Sequence, residues 1–188
     1  RHFAETKAFM FRDAGAWNAL MEKLVRVLVP CLNAQIEAGA QAVQIFDSWV
    51  GCLNPADYKE YVLPHVKKLV AGVAQEKAPV IYSGVGTSAL LELIKESGAR
   101  VIGVDFHIEL GVAWERLGNV AVQGNLDPCA LLADREFMKK KTEEILRQAG
   151  RRPGHIFNLG HGILPETPVE NVVALIDCVH EISAKIRS

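Results

Sequence analysis

The chain has no CxxC pair and no His-x-Cys element, and its four cysteines stand far apart at positions 31, 52, 129 and 178. That spacing indicates neither a disulfide framework nor a zinc site, and reduced thiols in a cytoplasmic protein are the expectation. Long apolar runs are missing too. No stretch approaches the ~18 uninterrupted apolar residues of a membrane span, and the N-terminus lacks the apolar core of a signal peptide. Net charge is −1, and basic residues gather only at Lys139-Lys140-Lys141, inside a helical pattern that reads as a solvated face. The basic stripe that nucleic acid requires is therefore absent. Gly84-Val85-Gly86 completes neither a dinucleotide fingerprint nor a P-loop and reads as a turn, and no G-x-S-x-G nucleophile elbow surrounds any serine.

What is present is a globular composition, 49% hydrophobic and 23% charged over 188 residues, enough for a real core. Apolar runs at 41–47, 79–83, 100–105, 120–125 and 155–159 alternate with helical patterns, and no hairpin signal joins them. The fold class is therefore α/β, with a parallel sheet and helical crossovers. A helix over 14–39 with Leu20, Leu24, Val27, Leu28 and Cys31 at helical spacing should bend late at Pro30 and stop at Gly39. Asn54 and Pro55 should open a helix kinked at Pro64, Thr87 should cap a helix ending at Gly98, and Asp134 one ending at Gly150. Thr167-Pro168-Val169-Glu170 reads as a capping box with proline at the first helical position of the final helix. At roughly 35 to 40 residues per unit, eight such units need about 300 residues, within the range of a (β/α)8 barrel. Five units leave two readings, an open five-stranded sheet or the last five units of a barrel. Arg1 stands where an initiating Met would be expected.

Each strand run ends in polar residues: Asp47-Ser48, Asp105, Asn125, and Asn158-Leu159-Gly160-His161. In parallel α/β architectures the side chains beyond the strand C-termini converge on one face. The expected site thus gathers Asp47, Ser48, Asp105, Asn125, Asn158 and His161. His161, flanked by Gly160 and Gly162, is placed to donate to a carboxylate or carbonyl, or else to cap its own loop. Asp47-Ser48 reads equally as a substrate contact or a turn pair. Asp105 either holds backbone donors of its neighbours or meets a ligand. Asn125-Leu126-Asp127-Pro128 is a polar turn that shapes its loop, and Trp17, Trp49 and Trp114 read as core or cleft wall.

Four stretches carry a resemblance. Gln44-Ile45-Phe46-Asp47-Ser48-Trp49, Val101-Ile102-Gly103-Val104-Asp105, Val122-Gln123-Gly124-Asn125-Leu126-Asp127-Pro128 and Phe157-Asn158-Leu159-Gly160-His161-Gly162-Ile163-Leu164-Pro165-Glu166-Thr167-Pro168 closely resemble the uroporphyrinogen decarboxylase family, in the family's order. The resemblance implies a homodimeric (β/α)8 barrel of which residues 1–188 form the C-terminal portion, with about five of the β/α units. It implies removal of carboxylate from the four acetate arms of uroporphyrinogen III without metal or organic cofactor, giving coproporphyrinogen III for haem and related tetrapyrroles. Ser48 matches a residue that contacts substrate and His161 one that bonds a substrate carboxylate. Phe46 matches an apolar wall residue, with Asp47, Asp105, Asn125 and Asn158 as candidate pocket lining. The family's essential aspartate, arginine loop and tyrosine match positions upstream of Arg1, so no catalytic residue is expected within the chain and little turnover from it alone. Zinc- and corrinoid-dependent methyltransferases form a related branch, but their thiolates have no counterpart at Ile81-Tyr82-Ser83-Gly84 or Gly160-His161-Gly162. A non-catalytic tetrapyrrole-binding or interaction paralogue is the third reading.

Overall fold

Helices and strands alternate from Val43 onward, as the apolar pattern predicts. The computed structural model describes residues 3–187. Strands β1 (Val43–Asp47), β2 (Val80–Gly84), β3 (Val101–Gly103), β4 (Ala121–Gln123) and β5 (His155–Ile156) follow one another in sheet order. β1 pairs with β2 and β4 with β5 in parallel, Val43 opposite Val80 through Asp47 opposite Gly84, and Val122 opposite His155. Every residue of β3 and all but Ser83 of β2 are buried, as strands of a parallel sheet covered on both faces must be. These are five β/α units of the barrel type, and the chain divides into two compact units, 1–102 and 103–188.

The first unit opens with α1 (Ala4–Arg12) and α2 (Ala14–Glu37). Asp13 caps α2 by accepting from Ala16 N at 2.8 Å, and Gly39, at φ +106°, lets the chain turn back after it. The apolar stripe anticipated for α2 does not face the core. Leu20, Leu24, Val27 and Leu28 are exposed, and Trp17, Leu32 and Ile36 are the buried residues instead.

A single kinked helix after Asn54 is also not what forms. Asn54 caps α3 (Pro55–Tyr61) through Asp57 N at 2.9 Å, and α4 (Leu63–Ala71) follows after a break at Val62. Pro64 stands in the first turn of α4, where its missing N–H costs nothing, so the proline starts a helix rather than bending one. The helix expected from Thr87 begins later, as α5 (Leu91–Lys95) with Leu90 at its cap position, because a turn from Thr87 O to Leu90 N at 2.8 Å comes first.

In the second unit, α6 (Leu110–Leu117) ends at Gly118 (φ +67°), and α7 (Arg135–Ala149) is capped by Asp134 through Phe137 N at 2.8 Å. The final helix, α8 (Val169–Arg187), lacks the predicted capping box. Its first turn lies beyond Pro168, and the Thr167 hydroxyl is buried with no hydrogen-bond partner among the described residues. Thr167 N is drawn instead into a turn onto Leu164 O at 3.0 Å, which carries the residue away from the cap position. Val173 and Ile176 of α8 are exposed, and Leu175, Cys178 and Ile182 face the core.

Candidate functional site

Strand β1 delivers Phe46, Asp47 and then Ser48 into the turn before a short 3-10 segment at Val50–Cys52. Side chains alternate along a strand. Phe46 is 74% exposed, whereas its neighbour Asp47 is partly buried and receives a hydrogen bond from the Tyr82 hydroxyl at 2.8 Å on Oδ2. Tyr82 in turn accepts from the Tyr58 hydroxyl at 3.2 Å. Both phenols are almost fully buried, and a buried tyrosine needs a partner for its O–H. Asp47 supplies the end of that chain.

Burial raises the Asp47 carboxyl above the ordinary carboxylate range, and the Tyr82 bond opposes this. Burial also pushes both phenols upward; for Tyr82 the Asp47 charge adds to it, while for Tyr58 the bond to Tyr82 partly offsets it. The chain borders a mainly apolar cavity of about 350 Å³ whose wall includes Met10, Trp17, Leu24, Phe46, Asp47 and Tyr82.

The Asp47 shift has a measurable consequence. A carboxyl raised in the folded state holds its proton where the unfolded chain, near 3.8, has lost it. Stability therefore falls as pH rises from 3.8 through the raised value, and the penalty is complete above that window. Asp47→Asn keeps an acceptor for Tyr82 and removes the penalty. Its melting temperature should exceed the parent's at neutral pH and converge with it below pH 3.8. Thermal unfolding by circular dichroism at the two pH values checks this, and a gap independent of pH would count against it.

In the second unit the strand ends are tied to one another. Asp105 is buried and accepts from His107 N at 2.8 Å and from the His107 ring at Nδ1, 3.1 Å away. Asn125, also buried, donates through Nδ2 to Asp105 O at 2.9 Å and to Ile108 O at 2.6 Å. Both therefore fasten the loop after β3. Asn125 also lines a cavity of about 520 Å³ of mixed polar and apolar character with Phe106, His107, Asp127, Cys129 and Lys141. Asp127 shapes its turn by accepting from Cys129 N at 2.9 Å. Asn158 is exposed, its Oδ1 taking Leu159 N at 2.8 Å.

His161 is exposed, and its Nδ1 accepts from Gly162 N at 2.6 Å. A ring nitrogen that accepts carries no proton, so the neutral imidazole holds its hydrogen on Nε2, outside the loop. The two flanking glycines have different tasks. A Cβ on Gly160 would lie under 3.0 Å from the backbone of Asp105 and Phe106, whereas one on Gly162 would meet nothing within 4 Å. Of the three tryptophans, Trp17 and Trp114 are buried and Trp49 is 56% exposed.

Tyr58, Tyr82 and His107 were not singled out by sequence. Both tyrosines sat inside apolar patterns, and the one signal available was that a phenol in such a run requires a hydrogen-bond partner.

The fold and these strand-end clusters define an α/β protein built on parallel β/α units with its polar groups at the strand C-termini. Residues 1–182 match the family model described as uroporphyrinogen decarboxylase (URO-D). The chain belongs to that family. It is 52% identical over 178 residues to a uroporphyrinogen decarboxylase of Sorangium cellulosum, covering 94% of this chain and 51% of the relative. It is 48% identical over 184 residues to that of Thermus thermophilus (98% and 54%) and 47% over 185 residues to that of a Geobacter species (98% and 55%). The chain spans about half the length of the curated relatives it matches. Among solved structures, a methyltransferase from Methanosarcina mazei superposes with a TM-score of 0.74 at 22% identity, covering 84% of this chain and 47% of that one, a likeness of fold. No described helix is long and apolar enough to cross a membrane, and no described group of three or more His, Cys, Asp or Glu side chains is placed to hold a metal ion.

Proposed function

We propose that the protein carrying this sequence decarboxylates the four acetate side chains of uroporphyrinogen III to give coproporphyrinogen III, and that residues 1–188 are the C-terminal portion of its single barrel domain. The observation that carries this reading is the family match over residues 1–182, with relatives of that name 47–52% identical. The homodimer, the cytoplasmic location, and the upstream position of the essential aspartate, arginines and tyrosine come with the same resemblance.

The chemistry suits the groups present. Protonation of the pyrrole carbon next to an acetate arm turns the ring into an electron sink. The carbon–carboxylate bond then breaks and carbon dioxide leaves; the resulting methylene is protonated to a methyl group, and the ring carbon gives up the proton it first took, which restores the pyrrole. The protein must hold a polyanion and deliver protons, which are electrostatic and general-acid tasks. In this proposal His161 donates from Nε2 to a substrate carboxylate, Ser48 bonds a second polar group, and Phe46 forms an apolar wall. Asp47, Asp105, Asn125 and Asn158 shape the surroundings.

The test is turnover of uroporphyrinogen III, followed by chromatography of the oxidised products, in the longer protein that carries this sequence. The 188-residue chain by itself should show no appreciable turnover. His161→Ala should lower kcat/KM by roughly thirtyfold, the worth of a charge-assisted hydrogen bond of about 2 kcal/mol, with an unchanged far-ultraviolet spectrum. Wild-type kinetics in that variant would remove His161 from the site. A longer protein that binds but never converts the tetrapyrrole would favour the non-catalytic paralogue.

A further inference from the structure

Ser48 makes its proposed contact from a turn, and a turn residue is positioned only as well as its two ends are held. Both ends are held by one chain of buried hydroxyls. Asp47, immediately before Ser48, takes the Tyr82 hydroxyl at 2.8 Å, and Tyr82 takes the hydroxyl of Tyr58 at 3.2 Å. Tyr58 lies in α3, the helix into which the same turn leads, behind its Asn54 cap. The segment from Asp47 to Tyr58 is therefore a loop closed on itself through Tyr82, a strand residue opposite Ile45 in the parallel register.

Backbone contacts fix the same segment from behind. A Cβ on Gly84 would press on Asp47 O and Val50, and one on Gly51 on the backbone of Val85 and Gly86, each under 3.0 Å. Tyr58 and Tyr82 are 0% and 1% exposed, so neither hydroxyl can exchange its partner for water. Removing the Tyr82 hydroxyl leaves the buried Tyr58 hydroxyl without its acceptor and Asp47 without this donor, and removing the Tyr58 hydroxyl cuts the tie to α3.

We propose that Tyr82 and Tyr58 are positioning residues for Ser48, holding the turn after β1 in a single conformation through the Asp47 carboxyl. The proposal rests on the decarboxylase reading for the task it gives Ser48, and on the hydrogen-bond chain alone for the clamp itself.

Two measurements test it. In the 188-residue chain, Tyr82→Phe and Tyr58→Phe should each speed amide exchange over residues 48–53 by about tenfold while α4 is unchanged, the effect of one hydrogen bond's loss. Asp47→Asn, which keeps the acceptor, should exchange no faster than the parent. Exchange that rises evenly along the chain, or not at all, overturns the clamp. In the longer protein, Tyr82→Phe should raise KM several-fold with little change in kcat, and should have no further effect in a Ser48→Ala background, the non-additivity expected of residues acting through one group. Additive effects overturn the link to Ser48. Absence of uroporphyrinogen turnover in the parent protein sinks the decarboxylase reading instead, and the exchange measurement then decides the clamp on its own.

Discussion

Gly160→Ala is expected to destabilise the chain by about 3 kcal/mol, whereas Gly162→Ala is neutral or stabilising by up to about 1 kcal/mol. The two glycines flank the same imidazole, and neither is among the residues with positive φ. Backbone conformation therefore cannot separate them; space does. The Gly160 Cα sits against the backbone of Asp105 and Phe106, with its own N donating to Leu126 O at 2.7 Å, so an added methyl meets main-chain atoms under 3.0 Å away. Main-chain atoms cannot rotate aside as a flexible side chain would. To relieve the clash, the Gly160 loop must lift from Asp105, and Asp105 is itself locked by His107 and Asn125. At Gly162 the methyl enters open space, and alanine only reduces the freedom of the unfolded chain. Urea unfolding of the two variants distinguishes these outcomes. Equal effects at both positions would mean that the loop does not pack on Asp105 as described.

The alternation of strands and helices was legible because buried parallel strands are continuous apolar runs and the segments between them carry helical spacing. Boundaries were less so. The run at 155–159 yields only His155–Ile156 as a strand, with Leu159 rejoining the ladder through one isolated bridge to Leu126. Proline was misread in one direction: its ring blocks a helix interior but suits a first turn, and sequence alone does not say which side of a break Pro64 stands on. The apolar residues at helical spacing in α2 end up exposed because that helix carries apolar residues on more than one side, and only packing decides which side is covered.

Of the site, the strand-end residues were legible through their position, while their partners were not. Asp105 reads from sequence as either a ligand contact or a backbone anchor, and its hydrogen bond from His107 N is of the second kind, with the His107 ring as a further partner. The Tyr58–Tyr82–Asp47 chain joins residues far apart in sequence that no local pattern relates. A tyrosine in an apolar run is chemically indistinguishable from a phenylalanine there until its hydroxyl has a neighbour.

Trp114→Ala should lower stability by about 4 kcal/mol, a large share of the ~5–15 kcal/mol that holds a domain together, while Trp114→Phe should lose about half as much. The indole is 2% exposed. Its Nε1 donates to Val120 O at 2.8 Å, and the Arg152 guanidinium lies over its ring, 4.2 Å from the centroid, while bonding Gly118 O. Alanine removes the buried area, the indole bond and the platform for Arg152 together, and the segment from Gly118 to Val120 loses its anchor just before β4 begins. Phenylalanine restores much of the packing but leaves Val120 O without its donor, a cost of ~1–2 kcal/mol. The effect should also reach the strand ends. His155, its ring 6.1 Å from the indole, bonds Gly124 O through Nε2 at 2.8 Å, directly before Asn125. Amide exchange in the alanine variant should therefore quicken at 120–126 and 155–160, and in the phenylalanine variant mainly at 118–120. Urea unfolding and exchange on both variants read this out, and a loss under 1 kcal/mol for alanine would show that the indole does not anchor β4 to α6.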